Sequence, residues 1–291
     1  HGSNAFPGSP LWNRQLSGET YTPYTSNSLD AEDIRGAQLA QPKGSSKLCL
    51  SCHDGTLAIG DVVNAPGSST GSAISMSGTA GGGSMPAGSG SLTGFTRDLG
   101  IDLTNDHPIS LTYDSNLAGT DGELLDPASA SHIGAKGTGK AVPLEATGSG
   151  GELQIQCASC HDPHVTDPAS SAPIKFLRVN RFQEADPVAG SFDPGADIGC
   201  LACHDKGGWA ESAHATTTAA DETYTSAAAS QREFAAGTTV WQASCLNCHD
   251  PHTVHGARRL LREGTDSGLS PKSGGSSAIE ETCFQCHTND S

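Results

Sequence analysis

All ten cysteines of this 291-residue chain fall into five pairs of one spacing: Cys49/Cys52, Cys157/Cys160, Cys200/Cys203, Cys245/Cys248 and Cys283/Cys286. A histidine follows each pair, at His53, His161, His204, His249 and His287. With only 12 histidines in 291 residues, five such coincidences do not arise by chance. Cys-x-x-Cys-His is the attachment motif of c-type haem. Two intervening residues let a tight turn aim both sulfurs at the two vinyl groups of one porphyrin, while the adjacent imidazole reaches the iron as proximal ligand. The sequence therefore predicts five covalently bound haems. Other uses of the cysteines fit less well. Disulfides need no histidine after each pair. Zinc ribbons set their two Cys-x-x-Cys units roughly 15–20 residues apart, whereas successive motifs here start at least 38 residues apart. A thioredoxin-like redox motif normally occurs once, beside a βαβ pattern that this sequence lacks.

Seven histidines remain as candidate distal ligands: His1, His107, His132, His164, His214, His252 and His255. Five six-coordinate irons need five of them. Iron closed by imidazole on both faces carries electrons, whereas chemistry on a small molecule needs an open position. The supply of histidine favours the carrier. His164 and His252 end the twice-used phrase Cys-His-Asp-Pro-His, three residues beyond a proximal ligand. From there neither reaches the far face of its own porphyrin, so each is expected to ligate a neighbouring haem, with Pro163 and Pro251 stiffening the connection. His107 lies in a turn, Asn105-Asp106-His107-Pro108, with polar groups at hand to orient its ring. His214 follows Trp209 closely enough to loop back over a haem face. These four are the expected distal ligands, with His1 as the fifth. His132 and His255 have less support, and Met76 and Met85 sit in a Gly/Ser-rich loop that suits a thioether ligand poorly.

The elements that must position these groups are sparse. Leu, Ile, Val and Phe make up about 16% of the chain, below the roughly 20% at which a strongly charged sequence is expected to be disordered. Haems would replace the missing aliphatic core, so the expected fold class is a haem-cored multihaem cytochrome, mostly irregular, with short helices and few short strands. The net charge of −16 argues against binding nucleic acid through phosphates, and no apolar run approaches the roughly 20 residues of a membrane helix. A chain opening at His1 reads as processed, and thioether attachment places it outside the cytoplasm, extracellular or at the cell surface, with the periplasm as alternative. Residues 1–48 read as an N-terminal arm in contact with other subunits, with a short helix at 30–39. Residues 49–156 form a first haem module containing a Gly/Ser-rich loop at 65–94. Two two-haem modules follow, 157–244 and 245–291, in which Cys-His-Asp-Pro-His is succeeded by Phe176-Leu177-Arg178 in one and Leu260-Leu261-Arg262 in the other. A helix is predicted around 227–236. The acidic run 193–197 is a candidate cation site, and Asn289-Asp290-Ser291 fits a glycan acceptor pattern.

The doubled Cys-x-x-Cys-His pattern, the two Cys-His-Asp-Pro-His phrases and Asn-Asp-His-Pro-Ile-Ser at 105–110 resemble the multihaem c-type cytochromes exported by metal-reducing microbes, within them the outer-surface members that polymerise into extracellular filaments. The resemblance covers most of residues 47–291. It implies bis-histidine haems stacked alternately parallel and T-shaped in a continuous chain, a homopolymer in contact with other cytochromes or extracellular acceptors, and an inter-subunit histidine ligand in some members. Relatives often carry one more motif upstream, ending in Cys-His-Thr-Pro-His-Gly, against which this chain begins His1-Gly2-Ser3. They also have a histidine after Leu-Trp-Asn, where this chain has Arg14. Both departures point to His1 as a ligand given across a subunit boundary. The rivals are a monomeric electron carrier and, in another class, a multihaem oxidoreductase with one open haem.

Overall fold

The computed structural model describes residues 13–63, 74–87, 97–165, 175–254, 258–262 and 282–287. His1, His255, the 289–291 tripeptide and much of the 65–94 stretch lie outside these residues. Regular structure is brief: α1 (Asp30–Arg35), α2 (Gly44–His53), α3 (Ser115–Asp121), α4 (Cys157–Cys160), α5 (Ser226–Gln231) and α6 (Val240–Ala243), with strands β1 (Ile133–Ala135), β2 (Val142–Ala146) and β3 (Leu153–Gln154). The strands form one small sheet in the order β1-β2-β3, the first pair parallel and the second antiparallel. Apart from short 3-10 turns, among them Gly199–Ala202 and Ser244–Asn247, the rest of the described chain is turn and coil, as the composition predicts.

Both predicted helices form, but shorter than expected. The first ends at Gly36, whose φ of 67° stops it. The second is capped by the Thr225 hydroxyl and stops at Arg232, before Glu233 turns left-handed with φ of 52°. Among the described residues no helix is long and apolar enough to cross a membrane.

The apolar interior is divided into three small clusters. One surrounds the sheet, with Leu111, Tyr113, Leu117, Ile133 and Leu144 packed on Ala202. The second gathers Ile198, Leu201, Phe234, Ala243 and Leu246, and the third Tyr21, Leu50 and Leu103. Each cluster takes in residues from inside a Cys-x-x-Cys-His motif, namely Ala202, Leu201, Leu246 and Leu50, so the motifs anchor the core they flank.

The two repeated modules share a polar clamp. In the first, Asp162 pairs with Arg178 at 3.0 Å, Asp162 N–H donates to the Phe176 carbonyl, and Arg178 Nε donates to the Ala158 carbonyl. In the second, Asp250 pairs with Arg262 at 2.6 Å, Asp250 N–H donates to the Leu260 carbonyl, and Arg262 Nε donates to the Leu246 carbonyl. The aspartate of Cys-His-Asp-Pro-His thus pins the loop that follows it onto its own motif. The second pair is nearly closed to water, with side-chain exposures of 3% for Arg262 and 10% for Asp250. Arg262→Met strands that carboxylate and is expected to cost about 3–5 kcal/mol, read as a lower midpoint in denaturant unfolding. Adding Asp250→Asn should recover part of the loss, and a single variant as stable as the parent would show that the clamp carries no weight.

Candidate functional site

Each motif is one helical turn. The histidine N–H donates to the first cysteine's carbonyl at His161, His204, His249 and His287, over 2.9, 3.0, 2.9 and 2.9 Å, and the first motif closes α2. Residues three and four apart on a turn share a face, so Cys, Cys and His project together. In the first four motifs at least one residue between the cysteines turns inward: Leu50, Ser51, Ser159, Leu201, Ala202 and Leu246 are buried. All ten cysteines are free of disulfides. Large apolar side chains stay exposed beside the motifs: Phe176 in the loop bonded to Asp162, Val188 in a pocket shared with His204 and Trp209, and Phe284 between Cys283 and Cys286. Such apolar edges suit a flat porphyrin.

Distal and proximal imidazoles face one another in three pairs. His107 opposes His204 with ring centroids 6.2 Å apart, His252 opposes His161 at 6.2 Å, and His214 opposes His287 at 6.0 Å. The spacing repeats within 0.2 Å across three pairs whose partners are separated in sequence. An iron spanned by two imidazoles requires that spacing: a metal–nitrogen bond of about 2.0 Å and about 1.1 Å from nitrogen to ring centre on each side put the centroids about 6.2 Å apart. The residues present therefore fit bis-histidine haem iron. Among the described residues, no group of three or more His, Cys, Asp or Glu gathers to hold a bare metal ion, whereas haem iron asks the protein for only two ligands.

The ring nitrogens are assigned by their partners. Nδ1 of His53 meets the Arg97 carbonyl at 2.6 Å, that of His161 the Lys175 carbonyl at 2.8 Å, that of His249 the Arg259 carbonyl at 2.7 Å, and that of His107 the Pro108 carbonyl at 3.0 Å. A carbonyl only accepts, so the proton sits on Nδ1 and Nε2 is left as the metal ligand. At His161 and His249 the carbonyl is aimed by left-handed backbone, Lys175 and Phe176 with φ of 55° and 57°, Arg259 and Leu260 with φ of 58° and 52°. Paired non-glycine residues in that region are strained, and the Asp–Arg clamp holds both loops there. Burial lowers the pKa of His107, His204 (to about 3), His161 (to about 4) and His249, so these rings are neutral near pH 7, as ligands must be. His252 differs. Burial works against its charge, but the hydrogen bond and charge of Asp106 prevail and its pKa rises.

The cysteines of successive motifs adjoin in sequence order. Cys49 lies close enough to Cys157, and Cys200 to Cys245, for each thiol to perturb the other, so the first cysteines of motifs one and two, and of three and four, adjoin. Cys160 lies within electrostatic reach of Cys203, and Cys248 of both Cys283 and Cys286, so motif two adjoins three and motif four adjoins five.

Not every candidate is drawn in. Nε2 of His132 meets the Ala202 carbonyl at 2.8 Å and its ring packs on Phe192, so its nearer role is structural. The His164 side chain is 91% exposed, its Nδ1 on Asp162 at 3.0 Å, and it faces no other imidazole among the described residues. Nor, among those residues, does an imidazole oppose His53 or His249 at the paired spacing. The acidic run 193–197 is internally satisfied, Asp197 accepting from Gln183 Nε2 and the Asp193 N–H. Sequence reasoning missed the carbonyls that orient the proximal rings, which no side chain signals, and the Asp–Arg clamp, whose signal was the arginine repeated after each Cys-His-Asp-Pro-His. No family model matches the chain, and no curated protein matches it either.

His252→Ala is expected to convert about one ferric haem in five from low to high spin, whereas His132→Ala leaves the absorption spectrum low-spin. The reverse pattern would refute the pairing.

Proposed function

We propose that this chain is an exported electron-transfer protein whose five motifs each hold one haem by two thioether bonds, the irons closed on both faces by imidazole. The observation that carries the reading is the threefold recurrence of opposed imidazoles at 6.0–6.2 Å, each pair joining a motif histidine to a histidine distant in sequence. The haems supply reversible one-electron exchange; the chain supplies their order. Motifs adjoin one to five in sequence, so electrons pass along a row rather than between isolated centres. The haems also complete the three small apolar clusters into one folded body, the haem-cored fold expected from composition. Attachment by thioether bonds sets the location on the exported side of a membrane, extracellular or periplasmic.

We further propose that copies of the chain polymerise, with other cytochromes or extracellular acceptors as onward partners. The module logic supports this. His252, from the second Cys-His-Asp-Pro-His, serves His161 of the preceding module. By the same relation His249 calls for an imidazole from a further module, which a neighbouring copy supplies, and His1 is the ligand assigned across that boundary. The exposed ring of His164 is a second group free to serve a haem outside its own module.

Intact-protein mass spectrometry should find the polypeptide heavier by five haems, and Cys200→Ala with Cys203→Ala should remove one. Electron microscopy of native protein should show filaments. A mass short of five haems would refute the electron-transfer reading, a ferric spectrum with a large high-spin component would favour an open catalytic haem, and dispersed particles alone would leave a monomeric carrier.

A further inference from the structure

Four of the candidate ligand imidazoles rest Nδ1 on a neutral backbone carbonyl, whereas His252 rests it on a carboxylate. Asp106 Oδ1 stands 3.2 Å from His252 Nδ1, across 146 residues of sequence, and the aspartate side chain is only 5% exposed. It is held in place on all sides. The Thr253 N–H donates to the same oxygen at 3.1 Å, and the Asn105 amide, in the orientation that satisfies both its ends, donates Nδ2 to Oδ2 at 3.1 Å. Two backbone bonds zip the segments together, His107 N–H to the Pro251 carbonyl at 2.8 Å and Val254 N–H to the Asn105 carbonyl at 3.1 Å. Asp162 pairs with Arg178 as well as with the exposed His164, and Asp250 with Arg262, whereas among the described residues Asp106 pairs with His252 alone. Its negative charge is therefore directed at a single ligand.

We propose that Asp106 is a positioning residue that lowers the midpoint potential of the haem held between His161 and His252, making it the lowest of the three paired sites. The proposal rests on the haem assignment above. A carboxylate accepting from Nδ1 draws the proton away from the ring and makes Nε2 a stronger donor, and a buried anion near the iron favours its more positive, oxidised state. The site takes one electron from one neighbour and gives it to the other, with no bond made or broken, and Asp106 sets how far uphill that electron must climb. The carbonyls that accept from His107 and His161 are neutral and polarise those rings less. Asp106 also adjoins His107, the ligand opposed to His204, so one short segment fixes distal ligands for two consecutive sites.

The site can be singled out by spectroscopy. The His161 and His252 ring planes meet at 27°, whereas those of His107 with His204 and His214 with His287 meet at 76° and 71°. Near-parallel imidazoles split the iron d orbitals in the same sense and give a rhombic low-spin electron paramagnetic resonance signal; near-perpendicular ones cancel that splitting and give a signal at larger g. The haem count and the low-spin ferric spectrum of the full chain are measured first, and their failure sinks the haem assignment alone. A redox titration of the wild-type protein followed by electron paramagnetic resonance should then reduce the rhombic signal last among the paired-site signals. Asp106→Asn should move that signal to higher potential with haem count and spin state unchanged, and Asp106→Glu, which keeps the charge, should lie nearer the wild type. A rhombic signal in the wild type that is not the last reduced overturns the proposal, whether or not the Asp106→Asn protein matures. So does an Asp106→Asn titration that superposes on the parent.

Discussion

A buried neutral imidazole that leaves Nε2 open carries its proton on Nδ1, and that proton needs an acceptor. In this chain that requirement organises the backbone. The carbonyls of Arg97, Lys175 and Arg259 are delivered to the motif histidines from residues outside the motifs, and two of the three are delivered by consecutive left-handed residues that are stable only because an Asp–Arg pair holds the loop closed. The clamp, the strained loop and the fixed ring form one mechanical unit, repeated once. It leaves Nε2 of His161 and of His249 as the ring nitrogen available to a metal.

A two-faced turn explains how a chain so poor in aliphatic residues folds at all. Leu50, Leu201, Ala202 and Leu246 bind the first, third and fourth motifs to a small core on one side, while cysteines and histidine line the other. On the haem reading the porphyrins fill the space between the clusters, and what separates three weak cores becomes what joins them. The same economy makes the conducting row and the structural interior one object, so the spacing between centres is fixed by the fold and not by loops that could drift.

The turn that gathers each Cys, Cys and His was legible from spacing alone, because Cys-x-x-Cys-His is local and a single turn suffices to form it. The imidazole pairs were legible in part. His107, His214 and His252 were picked out by their neighbours, and each opposes a motif histidine; but which one serves which motif depends on long-range topology, as with His252 reaching back to His161. His164 shows the limit of local reading: it sits in the same phrase as His252, yet its ring is turned to solvent, because what decides its role is the surface it faces. The short helices were found in place but overextended, since Gly36 and Glu233 end them through backbone conformation rather than through hydrophobic pattern. The sheet was anticipated only as a few short strands, and Asp106 only as one of the polar groups around His107.

The central claim is that opposed histidines are the two axial ligands of one iron. A density map of the native protein at side-chain resolution tests it most directly. The account predicts an iron midway between His107 and His204, between His161 and His252, and between His214 and His287, each bonded to Nε2 on both faces with its porphyrin joined to the adjacent cysteine pair. An iron whose second face holds water or a different side chain at any of these pairs would contradict it.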